Sequence, residues 1–153
     1  MGDPYRRASA GEARIGVDVH TEIVIARSRG DVSAYAADPS NATEWYENIK
    51  AVDRHSSREI AFTAEFLGRR LTYVYEIVED VPGERLVMRT SEGPFPMETS
   101  YEGADANGGT RMTLRNRGEP SGFSKVAAPM MATAMRRANR KDLQRLKQIL
   151  ERR

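Results

Sequence analysis

The chain has 153 residues, of which 39% are hydrophobic and 30% charged, and it contains no cysteine. This length suits one domain with a real core. The lack of cysteine excludes disulfides, thiol catalysis and thiolate metal ligands, and it fits a cytoplasmic location. No apolar run approaches the roughly 20 residues that a membrane-spanning helix needs. The start of the chain has no apolar centre, so we interpret residues 1–15 as a disordered leader and residues 16–153 as one domain.

Residues 16–26 alternate between apolar and polar side chains, which predicts a first β-strand. One face of this strand carries Val17, Val19, Thr21, Ile23 and Ile25.

Residues 31–46 change to a helical pattern that is interrupted at Asp38-Pro39. The interruption predicts two short helices, because aspartate caps a helix and proline suits its first turn. We expect Asp31 to cap the first of them. Their apolar faces are supplied by Val32, Tyr35, Ala36, Trp45 and Tyr46.

A period of two returns after residue 47 and predicts six further strands. Turn signals separate most of them: Gly68, Pro82-Gly83, Gly93-Pro94 and Asn107-Gly108-Gly109. The predicted strands are residues 49–56, 59–67, 69–79, 85–91, 95–102 and 110–117. Strands joined by such turns form an antiparallel sheet.

Residues 122–153 have the pattern of one long amphipathic helix. Its apolar arc carries Met131, Met135, Ala138, Leu143, Leu146, Ile149 and Leu150. Since no other predicted helix is long enough to cover the sheet, we expect an α+β fold in which a seven-stranded antiparallel sheet closes over this helix. Pro129 indicates either a kink or the point where a preceding turn passes into the main helix. In both cases Phe123 and Val126 could form a gate.

The opposite arc of this helix is basic. From Lys125 onward the chain has nine Lys or Arg residues and two acidic ones. The basic arc carries Arg136, Arg137, Arg140, Lys141, Arg145, Lys147 and Arg152. We favour a solvated outer face over a nucleic-acid surface, because no aromatic residues are interleaved with these charges to stack on bases.

The order of these elements resembles a known family. The resemblance is carried by VSAYAADPSNATEW (32–45), FLGRRLTYVYEI (66–77), GERLVMRTSEGPFP (83–96), GGTRMTLRNRGEP (108–120) and APMMATAMRRANRKDLQRLK (128–147). The chain is similar to the START-like (SRPBCC) superfamily, and within it to bacterial polyketide cyclase/dehydrase-type proteins. The resemblance implies a helix-grip fold with a cavity between sheet and helix. It also implies binding of hydrophobic or amphipathic small molecules, and in some members chemistry on them.

Aromatic and methionine side chains dominate the predicted concave face, and they suit an apolar pocket that adapts to its ligand. Each of them could equally fill a core. The candidate ligand-binding residues are Trp45, Phe62, Phe66, Tyr73, Tyr75, Met88, Met97, Tyr101, Met130, Met131, Met135 and Asn139. Tyr73, Tyr75 or Tyr101 would orient the polar atoms of the ligand, because a buried hydroxyl needs a partner.

Asn139 and Asp142 lie near the middle of the apolar arc, where a carboxylate is costly unless it is paired. Asp142 is either a polar anchor in the cavity or, as we favour, meets an arginine of the sheet or lies at its edge.

The other polar residues give no catalytic or metal site. His20 and His55 are isolated, and Glu98 and Glu102 are predicted to point outward.

The sequence therefore predicts a protein that binds a lipid, polyketide or isoprenoid, without a cofactor, as a monomer or homodimer. One alternative is a polyketide aromatase/cyclase. Another is an RNA- or ribosome-associated module that uses the basic helix face, since some relatives act with the ribosome.

Overall fold

The fold is described by a computed structural model for residues 16–93, 96–119 and 128–153. The predicted leader (1–15), Phe95 of the sixth strand, and the proposed gate residues Phe123 and Val126 lie outside the described residues.

Seven strands form one antiparallel sheet, with strand order β1-β7-β6-β5-β4-β3-β2. The strands are β1 (Val17–Ile25), β2 (Ile49–Arg54), β3 (Glu59–Phe66), β4 (Arg69–Val81), β5 (Arg85–Glu92), β6 (Met97–Ala106) and β7 (Gly109–Gly118). The helices are α1 (Arg29–Ala36), α2 (Ala42–Trp45) and α3 (Ala128–Glu151), with a 3₁₀ turn at Pro39–Asn41. The predicted α+β class, the seven antiparallel strands and the short helices after β1 are confirmed.

The first strand shows why the alternation was informative. β1 pairs with β7 in an unbroken antiparallel register from Val17 opposite Gly118 to Ile25 opposite Thr110. Val19 and Ile25 are completely buried, whereas the residues between them on the other face are exposed.

The chain that leaves β2 returns in β3, and a tight turn at Leu67 and Gly68 leads on into β4. Both turn residues have positive φ, 49° and 76°, as a two-residue hairpin requires.

The first short helix is capped by a residue other than the predicted one. Ser28 is the N-cap, and its side-chain oxygen accepts a hydrogen bond from the backbone N–H of Asp31. Asp31 is therefore in the first turn, where its negative charge interacts favourably with the helix dipole. The prediction that it caps the helix was wrong. Asp38 does begin the next turn, because its carboxylate accepts from the N–H of Ser40 and Pro39 follows it.

The described part of the long helix starts at Ala128, directly before Pro129. A proline in the first turn of a helix removes only an N–H that has no partner inside the helix. The residues before Ala128 lie outside the described ranges, so both predicted roles for Pro129 stay predictions. No helix in the described ranges has both the length and the apolar character that a membrane crossing requires.

The main core forms where the C-terminal half of α3 covers β1 and β7. Leu143, Leu146 and Leu150 pack there with Ile25, Met112 and Leu114, and with side chains of the short helices. Each leucine is at most 2% exposed. Burial of one such side chain stabilises a fold by about 1.5–3 kcal/mol, so this contact fixes the helix against the sheet.

The outer face of the sheet carries one buried carboxylate. Glu98 points outward as predicted, yet it is only 4% exposed. Arg89 and Arg117 on the two neighbouring strands stand directly opposite it and donate to its two oxygens at 2.7 and 3.0 Å. The long arginine side chains shield the carboxylate from water, and the phase of the strand alone does not reveal this.

We expect Glu98→Gln to lower the free energy of unfolding by about 1–3 kcal/mol, because it leaves two arginines without their counter-charge. Urea unfolding followed by circular dichroism measures the change. Glu102→Gln is the matched control, since Glu102 lies on the same face and pairs with Arg85 while about half exposed. That change should cost less than about 1 kcal/mol. Equal losses for the two variants would contradict a special role for Glu98.

Asp142 on α3 is 3% exposed, and its Oδ1 accepts a hydrogen bond from the backbone N–H of Glu47 at 3.1 Å. Of the partners weighed from the sequence, the arginine of the sheet is not the one found. Burial raises the pKa of Asp142 to about 6, and the hydrogen bond from Glu47 offsets this only in part.

Because this pKa lies above the ordinary value of 3.8, the folded chain holds the proton more tightly than the unfolded chain. The contribution of protonated Asp142 to the free energy of unfolding is fully present below about pH 3.8 and is lost as the pH rises through about 6. We therefore expect Asp142→Asn, which keeps an oxygen for the Glu47 N–H, to match the wild type at pH 4. At pH 8 it should be about 1–3 kcal/mol more stable. Denaturant unfolding at both pH values tests this, and a difference that does not change with pH would contradict it.

Candidate ligand-binding site

A cavity of about 150 Å³ lies between the short helices and the concave face of the sheet. The helical side contributes small side chains, and the sheet side contributes aromatic, aliphatic and a few polar ones. The lining residues are Ala36, Ala37, Pro39, Ala42, Tyr46, Ile49, Ile60, Phe62, Ala64, Tyr73, Tyr75, Met88, Thr99, Tyr101 and Asn116. None of the described residues of α3 is among them, so the short helices form the roof where the sequence predicted the C-terminal helix.

Five of the predicted ligand-binding residues meet at this cavity: Phe62, Tyr73, Tyr75, Met88 and Tyr101. The phenylalanine ring of Phe62 stands edge-on to Tyr75, with ring centroids 5.6 Å apart, and Tyr75 lies 6.0 Å from Tyr73. They converge because strands β3 to β6 are neighbours and these positions share one phase of the alternation.

Four other predicted residues lie in an adjoining apolar cluster. Phe66, Met97, Met131 and Met135 pack with Val17, Leu71 and Tyr73, near the N-terminal half of α3. Tyr73 belongs to both the cluster and the cavity wall, so the two regions are continuous.

The remaining three predicted residues do not line the cavity. Trp45 is completely buried in the main core and contacts Tyr46 and Tyr101, with ring centroids 4.0 and 5.7 Å away, so it supports the cavity wall from behind. Met130 is 67% exposed, because when Met131 faces the sheet its neighbour at 100° along the helix points away. Asn139 is buried as predicted but does not line the cavity. Its amide nitrogen has no hydrogen-bond partner among the described residues.

A pair of tyrosine hydroxyls provides the first polar group of the cavity. The oxygens of Tyr46 and Tyr101 are 2.6 Å apart. Burial raises the pKa of both hydroxyls, and the charge of Asp142 adds to the rise in each case. Both groups therefore stay protonated at neutral pH. One hydrogen is used within the pair, and the other is available to an oxygen acceptor.

Thr99 and Asn116 provide the second polar group. The hydroxyl of Thr99 donates to Oδ1 of Asn116 at 2.7 Å, across the register of β6 and β7. This leaves the amide nitrogen of Asn116 as a donor. The sequence pattern held a signal for both residues, because they share the phase of Met97 and Tyr101 on β6 and of Met112 and Leu114 on β7. Tyr46 is predicted to lie on an apolar helix face, and that pattern gives no signal for its hydroxyl.

A polar groove of about 520 Å³ lies on the other side of the cavity wall, between α3 and the segment that joins α2 to β2. Tyr46 and Ile49 line both the groove and the cavity. The other lining residues are Thr43, Glu44, Glu47, Lys50, Lys141, Asp142, Gln144, Arg145 and Gln148.

Two cations of the basic arc hold α3 in place. Arg145 donates to the backbone carbonyl of Glu44, and Lys147 donates to that of Val24 at 2.7 Å. These contacts give part of the basic arc a structural role.

The comparisons with known proteins agree with this architecture. Residues 16–151 match the family described as polyketide cyclase / dehydrase and lipid transport. No significant match to a curated protein was found.

Several solved structures share the fold at low sequence identity. A START superfamily protein from Mycobacterium smegmatis is 14% identical, with a TM-score of 0.76, over 88% of this chain and 97% of its own. The Zhui aromatase/cyclase from Streptomyces sp. R1128 is 16% identical, with a TM-score of 0.73, over 90% of this chain and 95% of its own. The di-domain aromatase/cyclase BexL of the BE-7585A biosynthetic pathway is 14% identical, with a TM-score of 0.74, over 97% of this chain and 54% of its own.

Identities this low establish the fold alone, whereas the family match covers nearly all of the described sequence. On that evidence the chain has the START-like helix-grip fold and belongs to the polyketide cyclase/dehydrase and lipid transport family.

Proposed function

We propose that this protein binds a hydrophobic or amphipathic small molecule in the cavity between the short helices and the sheet. The observation that carries the proposal is an apolar wall with two separate polar groups, the Tyr46–Tyr101 pair and the Thr99–Asn116 pair. Pockets for small ligands have this composition, because apolar burial supplies affinity and a few polar atoms fix the orientation. The family match, which includes lipid transport, supports the same function.

The size of the cavity limits what enters it. Its volume of about 150 Å³ is below the ~300–1,000 Å³ of pockets for drug-sized ligands. An apolar cavity near this size holds a single aromatic ring in another protein. We therefore expect one ring or a short chain of a lipid, polyketide or isoprenoid to occupy it.

The cavity favours binding over catalysis. Polyketide cyclisation needs a base to remove a proton next to a carbonyl. The described lining residues include no carboxylate, histidine or lysine, and burial raises the pKa of Tyr46, Tyr73 and Tyr101. Protonated hydroxyls can donate to a carbonyl oxygen, which orients a ligand, but they do not act as bases.

Mass spectrometry of the freshly purified protein is the direct test. A mass excess under native conditions that disappears on denaturation is expected, and the released molecule would give the chemical class. If the native and denatured masses are equal, ligand-detected NMR is used to test whether the protein binds acetophenone. Acetophenone combines one ring with one carbonyl. Absence of both a carried ligand and acetophenone binding would contradict the proposal.

A cavity-filling change locates the ligand. Ala64→Leu on β3 places about three extra carbon atoms inside the cavity, so we expect it to weaken acetophenone binding at least about tenfold. Ala61→Leu is the matched control, because Ala61 lies on the same strand with a similar partial exposure but on the opposite face. Equal affinities for the two variants would place the ligand elsewhere.

A further inference from the structure

Asp142 lies directly behind the cavity wall. Its carboxylate accepts from the backbone N–H of Glu47, the residue that follows Tyr46. Tyr46 in turn lines both the groove that contains Asp142 and the cavity, where its hydroxyl meets that of Tyr101. A buried carboxylate therefore stands behind the polar group that would receive the oxygen of a ligand.

The cavity itself contributes no opposing charge, since every described residue that lines it is neutral. The groove around Asp142 has the cations Lys50, Lys141 and Arg145 and the anions Glu44 and Glu47. All five are exposed, so water screens them. Asp142 is only 3% exposed, and its field is screened much less. Burial is the main cause of the raised pKa of Tyr46 and of Tyr101, and the charge of Asp142 adds to the rise in both.

We propose that Asp142 is a specificity-determining residue that makes the cavity reject anionic ligands and accept uncharged ones with a carbonyl or hydroxyl oxygen. This inference rests on the proposed ligand-binding function. A ketone or phenol oxygen accepts the free hydrogen of the tyrosine pair without a net charge. A carboxylate or phosphate at the same place is repelled by Asp142, and it would also lose its hydration. The ligand class is thereby narrowed from amphipathic molecules in general to neutral oxygenated ones.

The test compares two ligands of nearly the same shape at pH 7.5. Acetophenone is neutral, and benzoate carries a charged oxygen in place of the methyl group. Any apolar cavity disfavours benzoate, so the informative quantity is the change in the affinity ratio when Asp142 is replaced. Asp142→Asn keeps the acceptor for the Glu47 N–H and removes the charge.

We expect Asp142→Asn to strengthen benzoate binding about tenfold and to leave acetophenone binding unchanged. Glu47→Gln removes a negative charge from the same groove at an exposed position, so it should change neither affinity more than about twofold. Benzoate binding that strengthens only in Asp142→Asn supports the inference. A benzoate-to-acetophenone ratio that is the same in the wild type and Asp142→Asn overturns it, including the case in which neither protein binds benzoate.

A second measurement needs no variant. Benzenesulfonate stays anionic at pH 5 and at pH 7.5, whereas Asp142 becomes protonated between these values. Wild-type protein should bind benzenesulfonate more tightly at pH 5 by about tenfold, with acetophenone unchanged. A smaller change than twofold would overturn the inference.

The two proposals fail differently. If both ligands bind the wild type equally and Ala64→Leu weakens both, the cavity binds ligands but Asp142 does not select them. If no ligand binds and the purified protein carries none, the ligand-binding function itself is wrong, and the selectivity with it.

Discussion

The packing of the C-terminal half of α3 against β1 and β7 is the contact on which the rest of the structure depends. Leu143, Leu146 and Leu150 meet Ile25 and Leu114 there with almost no exposed surface. The same cluster includes Trp45, so the contact also fixes the short helices that follow β1. Most pairings between neighbouring strands are local in sequence, whereas this contact and the β1–β7 pairing join segments that are far apart in the described chain.

The position of this contact explains why a cavity is left elsewhere. The helix fills one end of the curved sheet with leucine side chains. Above β3 to β6 the covering elements are instead the ends of α1 and α2, which present Ala36, Ala37 and Ala42. Alanine side chains are too short to reach the sheet, and the rings of Phe62 and Tyr75 fill the gap only in part. The small residues on the roof therefore leave space for the cavity.

The strength of the interactions among the polar groups near the cavity depends on the low polarity of their surroundings. In water the charge of Asp142 and the hydroxyls of Tyr46 and Tyr101 would interact weakly. Burial is the main cause of the raised pKa of each tyrosine, and the charge of Asp142, behind a wall of Tyr46 and Ile49, adds to it. The backbone N–H of Glu47 gives the carboxylate its hydrogen bond, so one buried acid ties α3 to the segment after α2, beside the cavity wall.

The sequence by itself determined the class of fold, the order of the elements and the inward phase of Tyr73 and Tyr75 on β4. These follow from local rules: the period of two in a strand, the period of 3.6 in a helix, and the turn chemistry of Gly68 and Pro82-Gly83. Only the tertiary structure decided which elements enclose the cavity. Trp45 and Met131 have the residue types of a pocket, yet one fills the core and the other an adjoining cluster. Tyr46 and Asp142 are far apart in the sequence and line the same groove because α3 packs beside the end of α2. Such contacts depend on how the helix is placed across the sheet, and no periodicity within either segment encodes that placement.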